Sequence, residues 1–242
     1  AILSDRVARF NAPGWWIDRM RKEFGAENLE TLFETLHKKP PMTLRVNVRK
    51  TTVEKWLADA QAAGCPARAL GGQAVLLEKA RPVNRIPGFA EGLVSVQDAG
   101  AQLAGLFLAP RSGERILDAC AAPGGKSAAI IAATGGKAHL TATDLHKHRL
   151  PTLKENLDRQ GSPFVRTAQA DWSLPCRPEW EGRFDAVLLD VPCSNTGVIQ
   201  RRVDVRWRLT PAEIRRLAAL QKTILENASR AVKPGGRLVY ST

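Results

Sequence analysis

Cysteine is scarce in this chain, and no two cysteines lie close together in the sequence. The four are Cys65, Cys120, Cys176 and Cys193, and no C-x-x-C pair occurs. Paired spacings of that kind mark zinc sites, and dense, regularly spaced cysteines mark the disulfide frameworks of small secreted proteins. The cysteine content argues against both classes, so we expect no metal site and a reducing cytoplasm.

Long apolar runs are missing as well. Apolar residues make up 44% of the chain, which is enough for a packed core. No run approaches the roughly 18 consecutive apolar residues of a membrane span. The first ten residues, AILSDRVARF, mix charged and apolar positions, unlike a secretory signal. We therefore expect a cytoplasmic protein with no membrane partner.

Acidic residues are outnumbered by basic ones. The 242 residues include 36 Lys and Arg against 24 Asp and Glu, a net charge of +12, and the pI is about 10.1. Such a balance favours a polyanionic partner, because cationic side chains release the counterions of nucleic acid phosphates. A merely soluble basic surface is the alternative. The length predicts two domains.

The first part of the chain predicts a helical leader followed by a small α/β module. GWWIDRMRKEFG and ENLETLFETLHKK have helical spacing, and Pro40 and Pro41 end the second helix. TLRVNV, AVLLE and GLVSVQ are strand candidates, and TVEKWLADAQAAG is an amphipathic helix that Gly64 closes. We assign residues 1–95 to this leader and module.

Residues 96–242 predict a doubly wound parallel sheet. Apolar strands alternate with helical stretches, and these strands are RILDAC, HLTATD, FVRTAQAD, FDAVLLD and GRLVYST. This alternation is typical of α/β proteins with a parallel sheet. Ligands of such sheets bind outside the carboxyl ends of the strands.

The loop after the first of these strands predicts a nucleotide-type site. Its residues are Cys120, Ala121, Ala122, Pro123, Gly124, Gly125 and Lys126. The glycines allow a ligand to approach the backbone, and the following helix offers its N-terminal amides to a negative group. Neither the dinucleotide nor the Walker A pattern is present, which argues against a dehydrogenase and against ATP.

Four successive strands end in or near an aspartate. These residues are Asp118, Asp144, Asp171 and Asp190. One such carboxylate is weak evidence, because it can simply cap the next helix. Together with the glycine loop, four of them indicate an S-adenosyl-L-methionine site, in which carboxylates bind the ribose and the adenine amine.

Several long motifs resemble a known family. DACAAPGGKS, LLDVPCSNTGVI and GGRLVYST, preceded by KKPPMTLRVN and IPGFAEGLVSVQDAGAQ, closely resemble the bacterial Sun/Fmu (RsmB-type) 16S rRNA cytosine-5 methyltransferases. The resemblance implies a Rossmann-like class I methyltransferase domain after an RRM-like module. It also implies that the chain lacks the family's NusB-like N-terminal domain and its C-terminal strands.

The resemblance also assigns the site residues. It places the cofactor loop on residues 120–126, the ribose carboxylate on Asp144, the adenine-side carboxylate on Asp171 and the motif aspartate on Asp190. The catalytic candidates are Cys193, Asp190 and Lys126. The implied partner is 16S rRNA or a small-subunit precursor, bound by a monomer.

The role of Cys193 has three interpretations. Cytosine carbon 5 accepts a methyl group only after a thiolate has added to carbon 6, so the reaction needs a cysteine. In DNA cytosine-5 methyltransferases that cysteine follows a proline, as Cys193 does. In the family that this chain resembles, the attacking thiol follows a threonine after the next strand, directly beyond Thr242 here. Cys193 is then an auxiliary thiol, and the 242-residue chain is inactive by itself; an inert apolar filler is the third interpretation.

An arginine-rich stretch follows the Pro-Cys pair. It contains the candidate RNA-binding residues Arg201, Arg202, Arg206 and Arg208. Guanidinium groups bind phosphates or stack on unpaired bases. Trp207 is either a stacking residue or part of the core. The alternative functions are a non-catalytic RNA-binding module and a DNA cytosine-5 methyltransferase that uses Cys193.

Overall fold

The computed structural model describes residues 5–242, so the first four residues of the N-terminal segment lie outside the described part. The helices of the described part are α1 (Arg6–Phe10), α2 (Gly14–Phe24), α3 (Leu29–His37), α4 (Val53–Ala62), α5 (Ala99–Leu108), α6 (Gly125–Ala133), α7 (Leu150–Arg159), α8 (Val205–Arg208) and α9 (Pro211–Ser229). The strands are β1 (Met42–Val46), β2 (Ala67–Gly71), β3 (Ala74–Leu77), β4 (Val94–Val96), β5 (Arg115–Asp118), β6 (His139–Asp144), β7 (Arg166–Gln169), β8 (Phe184–Asp190) and β9 (Val232–Ser241). No helix among these is long and apolar enough to cross a bilayer.

The chain divides into two compact units, each made of two segments. The helical unit comprises Ala1–Pro40 and Cys193–Ala219, and the sheet unit comprises Pro41–Pro192 and Leu220–Thr242. The boundary that the sequence predicts after residue 95 falls inside the sheet unit and stays a prediction.

A small antiparallel sheet forms the first part of the sheet unit. Its strand order is β2-β3-β1-β4, and α4 lies between β1 and β2 in sequence. The Thr52 side chain accepts from the Lys55 backbone N–H at 3.1 Å and so caps α4. Three strands and the helix were predicted, whereas β2 was missed because its residues ARALG are mostly exposed and carry no apolar alternation.

The larger sheet has five parallel strands in the order β7-β6-β5-β8-β9. This order confirms the predicted doubly wound sheet. The chain runs outward from β5 to β7 and then returns to β8 on the other side of β5. The loops after β5 and β8 therefore leave in opposite directions at a switch point, where ligands of such sheets bind.

Both faces of this sheet are covered. One cluster contains Ile116, Leu140 and Leu188 with apolar residues of α5, α6 and α7. The other contains Leu117 and Leu189 with residues of α9 and two buried tryptophans. Successive strand residues point to opposite faces, so a strand buried on both sides reads as a continuous apolar run.

A buried arginine ties the small sheet to the large one. Arg45 on β1 donates through Nε to Gln97 Oε1 at 2.8 Å and through Nη2 to Gln160 Oε1 at 2.7 Å. The same Nη2 lies 3.3 Å from the carbonyl oxygen of Gly125, the first residue of α6. Its Nη1 is buried and has no hydrogen-bond partner among the described residues.

The helical unit has a core of its own. Phe10, Trp16 and Phe33 from its first segment pack with Ile199 and Val205 from its second. The predicted end of the second leader helix is confirmed, because α3 ends at His37, three residues before Pro40. Two separate stretches of sequence are thus needed to bury this cluster.

Candidate active site

The glycine loop, residues 120–126, connects β5 to α6. The Ala121 N–H donates to the Thr143 carbonyl at 2.7 Å, which fixes the loop against β6. Gly124 has φ +103, and a Cβ there would lie 2.9 Å from Leu153 Cδ1. Glycine is therefore favoured at this position by its backbone conformation, and a larger residue would also require the Leu153 side chain to shift.

Asp144, at the end of β6, lies against this loop and is only 3% exposed. Its Oδ2 accepts from the Ala122 N–H at 3.2 Å, and its Oδ1 accepts from the His146 N–H at 3.0 Å. Arg149 pairs with Asp144 Oδ2 at 3.1 Å and donates to the Ala122 carbonyl at 2.6 Å. The structure therefore brings the loop and this carboxylate together, with a half-exposed arginine as a partner that the sequence analysis missed.

Asp190, at the end of β8, is held between two elements. Its Oδ2 lies 2.7 Å from Lys126 Nζ of the glycine loop, and its Oδ1 accepts from Ser241 Oγ at 3.0 Å. Ser241 is the register partner of Asp190 on β9. Two of the catalytic candidates, Lys126 and Asp190, thus form an ion pair at the carboxyl edge of the sheet.

Asp171 lies beyond its strand rather than at its end, because β7 stops at Gln169. Its Oδ1 accepts from the backbone N–H and the Oγ of Ser173 at 2.8 and 2.6 Å. Asp171 follows Gln169 by two residues, and Gln169 is the register partner of Asp144. The Asp171 carboxyl group therefore lies at the same edge of the sheet as Asp144.

Asp118 is buried and Cys120 is partly buried, and the pKa of each side chain is raised. Burial raises the pKa of the Asp118 carboxyl to about 7, against a hydrogen bond from Ser127 Oγ at 2.6 Å that lowers it. The other oxygen, Oδ1, is buried without a partner among the described residues. Burial, with the neighbouring carboxylates, raises the pKa of the Cys120 thiol to about 12. Cys120 is therefore protonated at neutral pH and unsuited to act as a nucleophile.

Cys193 opens the second segment of the helical unit and is partly exposed. Its Sγ accepts from the Asn195 N–H at 3.4 Å and lies 4.0 Å from Asn195 Oδ1. Asn195 has φ +60, a conformation that asparagine adopts more readily than most residues. By contrast, Cys65 and Cys176 are buried.

The four candidate RNA-binding arginines differ in their surroundings. Arg201, Arg202 and Arg208 are exposed, and the last two pair with Asp204 at 3.4 and 2.9 Å. Arg206 differs from these three because it is only 3% exposed, and its role in RNA binding stays a prediction. Its Nη1 donates to the Asn11 carbonyl at 3.2 Å and to His37 Nε2 at 2.8 Å.

In residues 5–242, no group of three or more His, Cys, Asp or Glu side chains has the arrangement of a metal site. The site residues are instead carboxylates, backbone amides and one ammonium group. Arg149, Ser127 and Ser241 are the members that sequence reasoning missed. Of these three, only Arg149 could have been predicted from the sequence, because it lies five residues after Asp144 in a basic stretch.

Two family models match the chain. The model described as 16S rRNA methyltransferase RsmB/F matches residues 105–242, and the model described as the ferredoxin-like domain of RsmF/B-like methyltransferases matches residues 12–84. The chain is 42% identical over 238 residues to the ribosomal RNA small subunit methyltransferase B of Salmonella paratyphi A, which is 97% of this chain and 54% of that protein. The protein of the same name from Salmonella arizonae is 43% identical over the same share. The chain spans about half the length of these curated relatives.

Solved structures share the fold over nearly the whole chain. The crystal structure of PH0851 superposes with a TM-score of 0.90 at 30% identity and covers 98% of this chain and 55% of that one. NSun6 from Pyrococcus horikoshii, determined with SFG, has a TM-score of 0.82 at 19% identity and covers 94% of this chain and 82% of that one. These likenesses confirm the predicted α/β fold.

Proposed function

Since the chain belongs to the RsmB/F family of 16S rRNA methyltransferases, as its motifs predicted, we propose that it uses S-adenosyl-L-methionine to methylate carbon 5 of a cytosine in 16S rRNA or a small-subunit precursor. One observation carries this proposal. The carboxylate of Asp190 lies between Lys126 of the glycine loop and Ser241 at the end of β9, at the edge where parallel sheets bind ligands.

The donor set fits S-adenosyl-L-methionine. Asp144 and Asp171 are hydrogen-bond acceptors suited to the ribose hydroxyls and the adenine amine, and the N-terminal amides of α6 suit a carboxylate. The buried, unpartnered Oδ1 of Asp118 is a further acceptor at the end of β5. When bound, the cofactor supplies a methyl group carried on a positively charged sulfur, which nearby carboxylates stabilise.

Asp144 needs a change of partner to bind ribose. Its oxygens already accept from Ala122, His146 and Arg149. The two backbone donors are the N–H groups of Ala122 and His146, which belong to the loops around the site. The Arg149 side chain is half-exposed, and only its guanidinium contacts Asp144. We propose that Arg149 yields its place to a ribose hydroxyl and keeps its bond to the Ala122 carbonyl.

The cytosine is activated by a thiolate, and a carboxylate stabilises the protonated ring. Addition of the thiolate to carbon 6 forms an S–C6 bond and makes carbon 5 electron-rich, while ring nitrogen 3 takes up a proton from water and gives it back when the thiolate leaves. After carbon 5 has gained its methyl group, a base removes the carbon 5 proton and the S–C6 bond breaks. Asp190 is assigned to the nitrogen 3 edge, and Lys126 offsets its negative charge at 2.7 Å.

The attacking thiol is assigned to the residue after Thr242, and Cys193 to product release, as the family resemblance implies. The hydrogen bond from Ser241 Oγ to Asp190 supports this assignment, because it links the end of β9 to the carboxylate assigned to ring nitrogen 3. The 242-residue polypeptide is accordingly expected to lack methyl transfer, although it carries the proposed cofactor residues.

The test compares this polypeptide with one extended through the Thr-Cys pair of the family. Labelled S-adenosyl-L-methionine reports methylation, and RNA containing 5-fluorocytosine traps the thiol adduct because carbon 5 then has no proton to lose. We expect methylation and adduct in the extended chain alone. Asp190→Asn should abolish methylation there, whereas Cys193→Ala should still form the trapped adduct with 5-fluorocytosine RNA but release ordinary cytosine RNA slowly.

Asp158→Asn is the matched control, because Asp158 is an exposed carboxylate of α7. It should leave methylation unchanged. Methylation by the 242-residue chain that disappears on Cys193→Ala would instead make Cys193 the nucleophile and overturn the assignment.

A further inference from the structure

A cavity of about 330 Å³ lies within the helical unit and is separate from the residues assigned above to the cofactor. It is lined by residues of the α3 end and of the stretch around α8, among them His37, Lys38, Gln200, Arg206 and Trp207. Its volume is in the range of small-ligand sites.

The polar floor of the cavity is the Arg206 guanidinium. Nη1 is held by the Asn11 carbonyl and by His37 Nε2, whereas the buried Nε has no partner among the described residues. Because a guanidinium only donates, Nε2 of His37 accepts and the ring proton lies on Nδ1. No carboxylate of residues 5–242 pairs with Arg206, so this buried cation retains donor capacity for an electron-rich group.

Trp207 and Lys38 supply the other chemistry. The Trp207 side chain is 53% exposed at the cavity, which rules out the core interpretation of this residue. Lys38 is exposed and forms no ion pair with a described residue. Asp204, also at the cavity, is neutralised by Arg202 and Arg208. The cavity thus combines a flat aromatic surface, buried donors and a positively charged rim.

We propose that this cavity binds one unpaired nucleotide of the RNA substrate, with the base stacked on Trp207, a base carbonyl facing Arg206 and the adjoining phosphate on Lys38. Stacking on aromatic side chains and charge pairing with phosphates are the two general means of binding single-stranded RNA. The inference rests on the proposed rRNA substrate and adds a specificity-determining contact that lies apart from methyl transfer.

The first test measures RNA affinity by fluorescence anisotropy with a labelled single-stranded RNA of about ten nucleotides. Trp207→Ala should weaken binding about tenfold, the order expected when a base loses its stacking surface, and Trp207→Phe should restore most of it. Affinity for a duplex of the same length should not change, because paired bases cannot stack on the indole. Lys38→Ala should reduce the slope of affinity against salt by about 0.7, whereas Trp207→Ala should leave that slope unaltered.

Phe24→Ala is the matched control, because Phe24 is a 52% exposed aromatic of the same unit outside the cavity. Lys22→Ala is the matched control for Lys38→Ala, because Lys22 is an exposed lysine of the same unit outside the cavity. The proposal is overturned if Trp207→Ala binds single-stranded RNA as tightly as the parent, or if Phe24→Ala weakens binding equally.

Photo-crosslinking of the unsubstituted chain to RNA containing 4-thiouridine gives an answer that does not depend on how a variant folds. The crosslinked peptide should contain Trp207, and a crosslink map without this segment would contradict the proposal.

Calorimetry with S-adenosyl-L-methionine separates the two proposals. Failure to bind the cofactor counts against the proposed methylation, and the RNA measurements with Trp207→Ala decide the cavity alone.

Discussion

Asp118 shows what burial does to a single carboxyl group. The side chain is fully buried at the end of β5, and one oxygen accepts from Ser127. Removing a carboxylate from water disfavours its charged form, which is the first cause of its raised pKa. The negative charge of Asp190 adds to this effect, and the hydrogen bond from Ser127 opposes it.

This raised pKa predicts a pH-dependent stability. The folded chain binds the Asp118 proton more tightly than the unfolded chain between pH 3.8 and about 7, so the free energy of unfolding falls as pH rises through this window. Asp118→Asn should remove this fall in the free energy of unfolding, which amounts to about 1 kcal/mol per pH unit. Urea unfolding at pH 5, 6, 7 and 8 measures it, with Asp158→Asn as the exposed control. Parallel curves for the parent and Asp118→Asn would show that Asp118 is ionised throughout.

The Asp144 and Arg149 pair shows how a carboxylate is held in position before a ligand binds. To bind ribose, the carboxylate must be fixed in place and must be able to accept hydrogen bonds from the hydroxyl groups. The backbone N–H groups of Ala122 and His146 hold the carboxylate of Asp144 in place, and the Arg149 guanidinium is its side-chain partner. Sequence spacing predicted Asp144 as the ribose carboxylate, which stays a prediction, and did not predict its hydrogen-bond partners.

At the scale of elements, β1 joins the small sheet to the glycine loop through Arg45. This side chain is 2% exposed and contacts the ends of β4 and α7 as well as the start of α6. Its donors satisfy Gln97, Gln160 and the Gly125 carbonyl. Burial, with the charge of Arg159, lowers the pKa of Arg45 to about 10, so the side chain is still charged at neutral pH.

Loss of this arginine should destabilise the sheet unit. Arg45→Ala leaves a cavity and three unpaired acceptors, and we expect a loss of roughly 2–4 kcal/mol in the free energy of unfolding. Arg68→Ala, on the exposed strand β2, should change it by less than about 0.5 kcal/mol. Denaturant titration of both variants measures the difference. Equal small effects would mean that the Arg45 contacts contribute nothing net.

At the scale of the whole molecule, the net charge of +12 is the property that bears on RNA. Counterion release makes the affinity of a cationic protein for nucleic acid fall linearly with the logarithm of salt concentration. The exposed arginines after the Pro-Cys pair contribute to this term regardless of RNA sequence. Arg206 is buried and is not among these exposed arginines.

Binding to an rRNA fragment should therefore weaken steeply as salt rises. The double change Arg201→Ala and Arg202→Ala should reduce the logarithmic slope by about 1 to 2, because two cations no longer neutralise phosphates. Filter binding at several salt concentrations gives the slope. Arg68→Ala combined with Lys79→Ala is the control pair, on exposed positions of the small module. A flat salt dependence of the parent would contradict electrostatic binding.

The sequence by itself determined the large sheet, the glycine loop and the family. Apolar strands, the turn glycines and the proline stop after α3 are local signals, because they depend on backbone conformation and on the spacing of a few neighbours. Long motifs in a fixed order identified the family for the same reason. Only the tertiary structure decided that Arg206 is buried while Trp207 is exposed, that β2 completes the small sheet, and that Lys126 and Ser241 both contact Asp190. These facts depend on which distant segments meet, and no local pattern encodes how far a given side chain is removed from water.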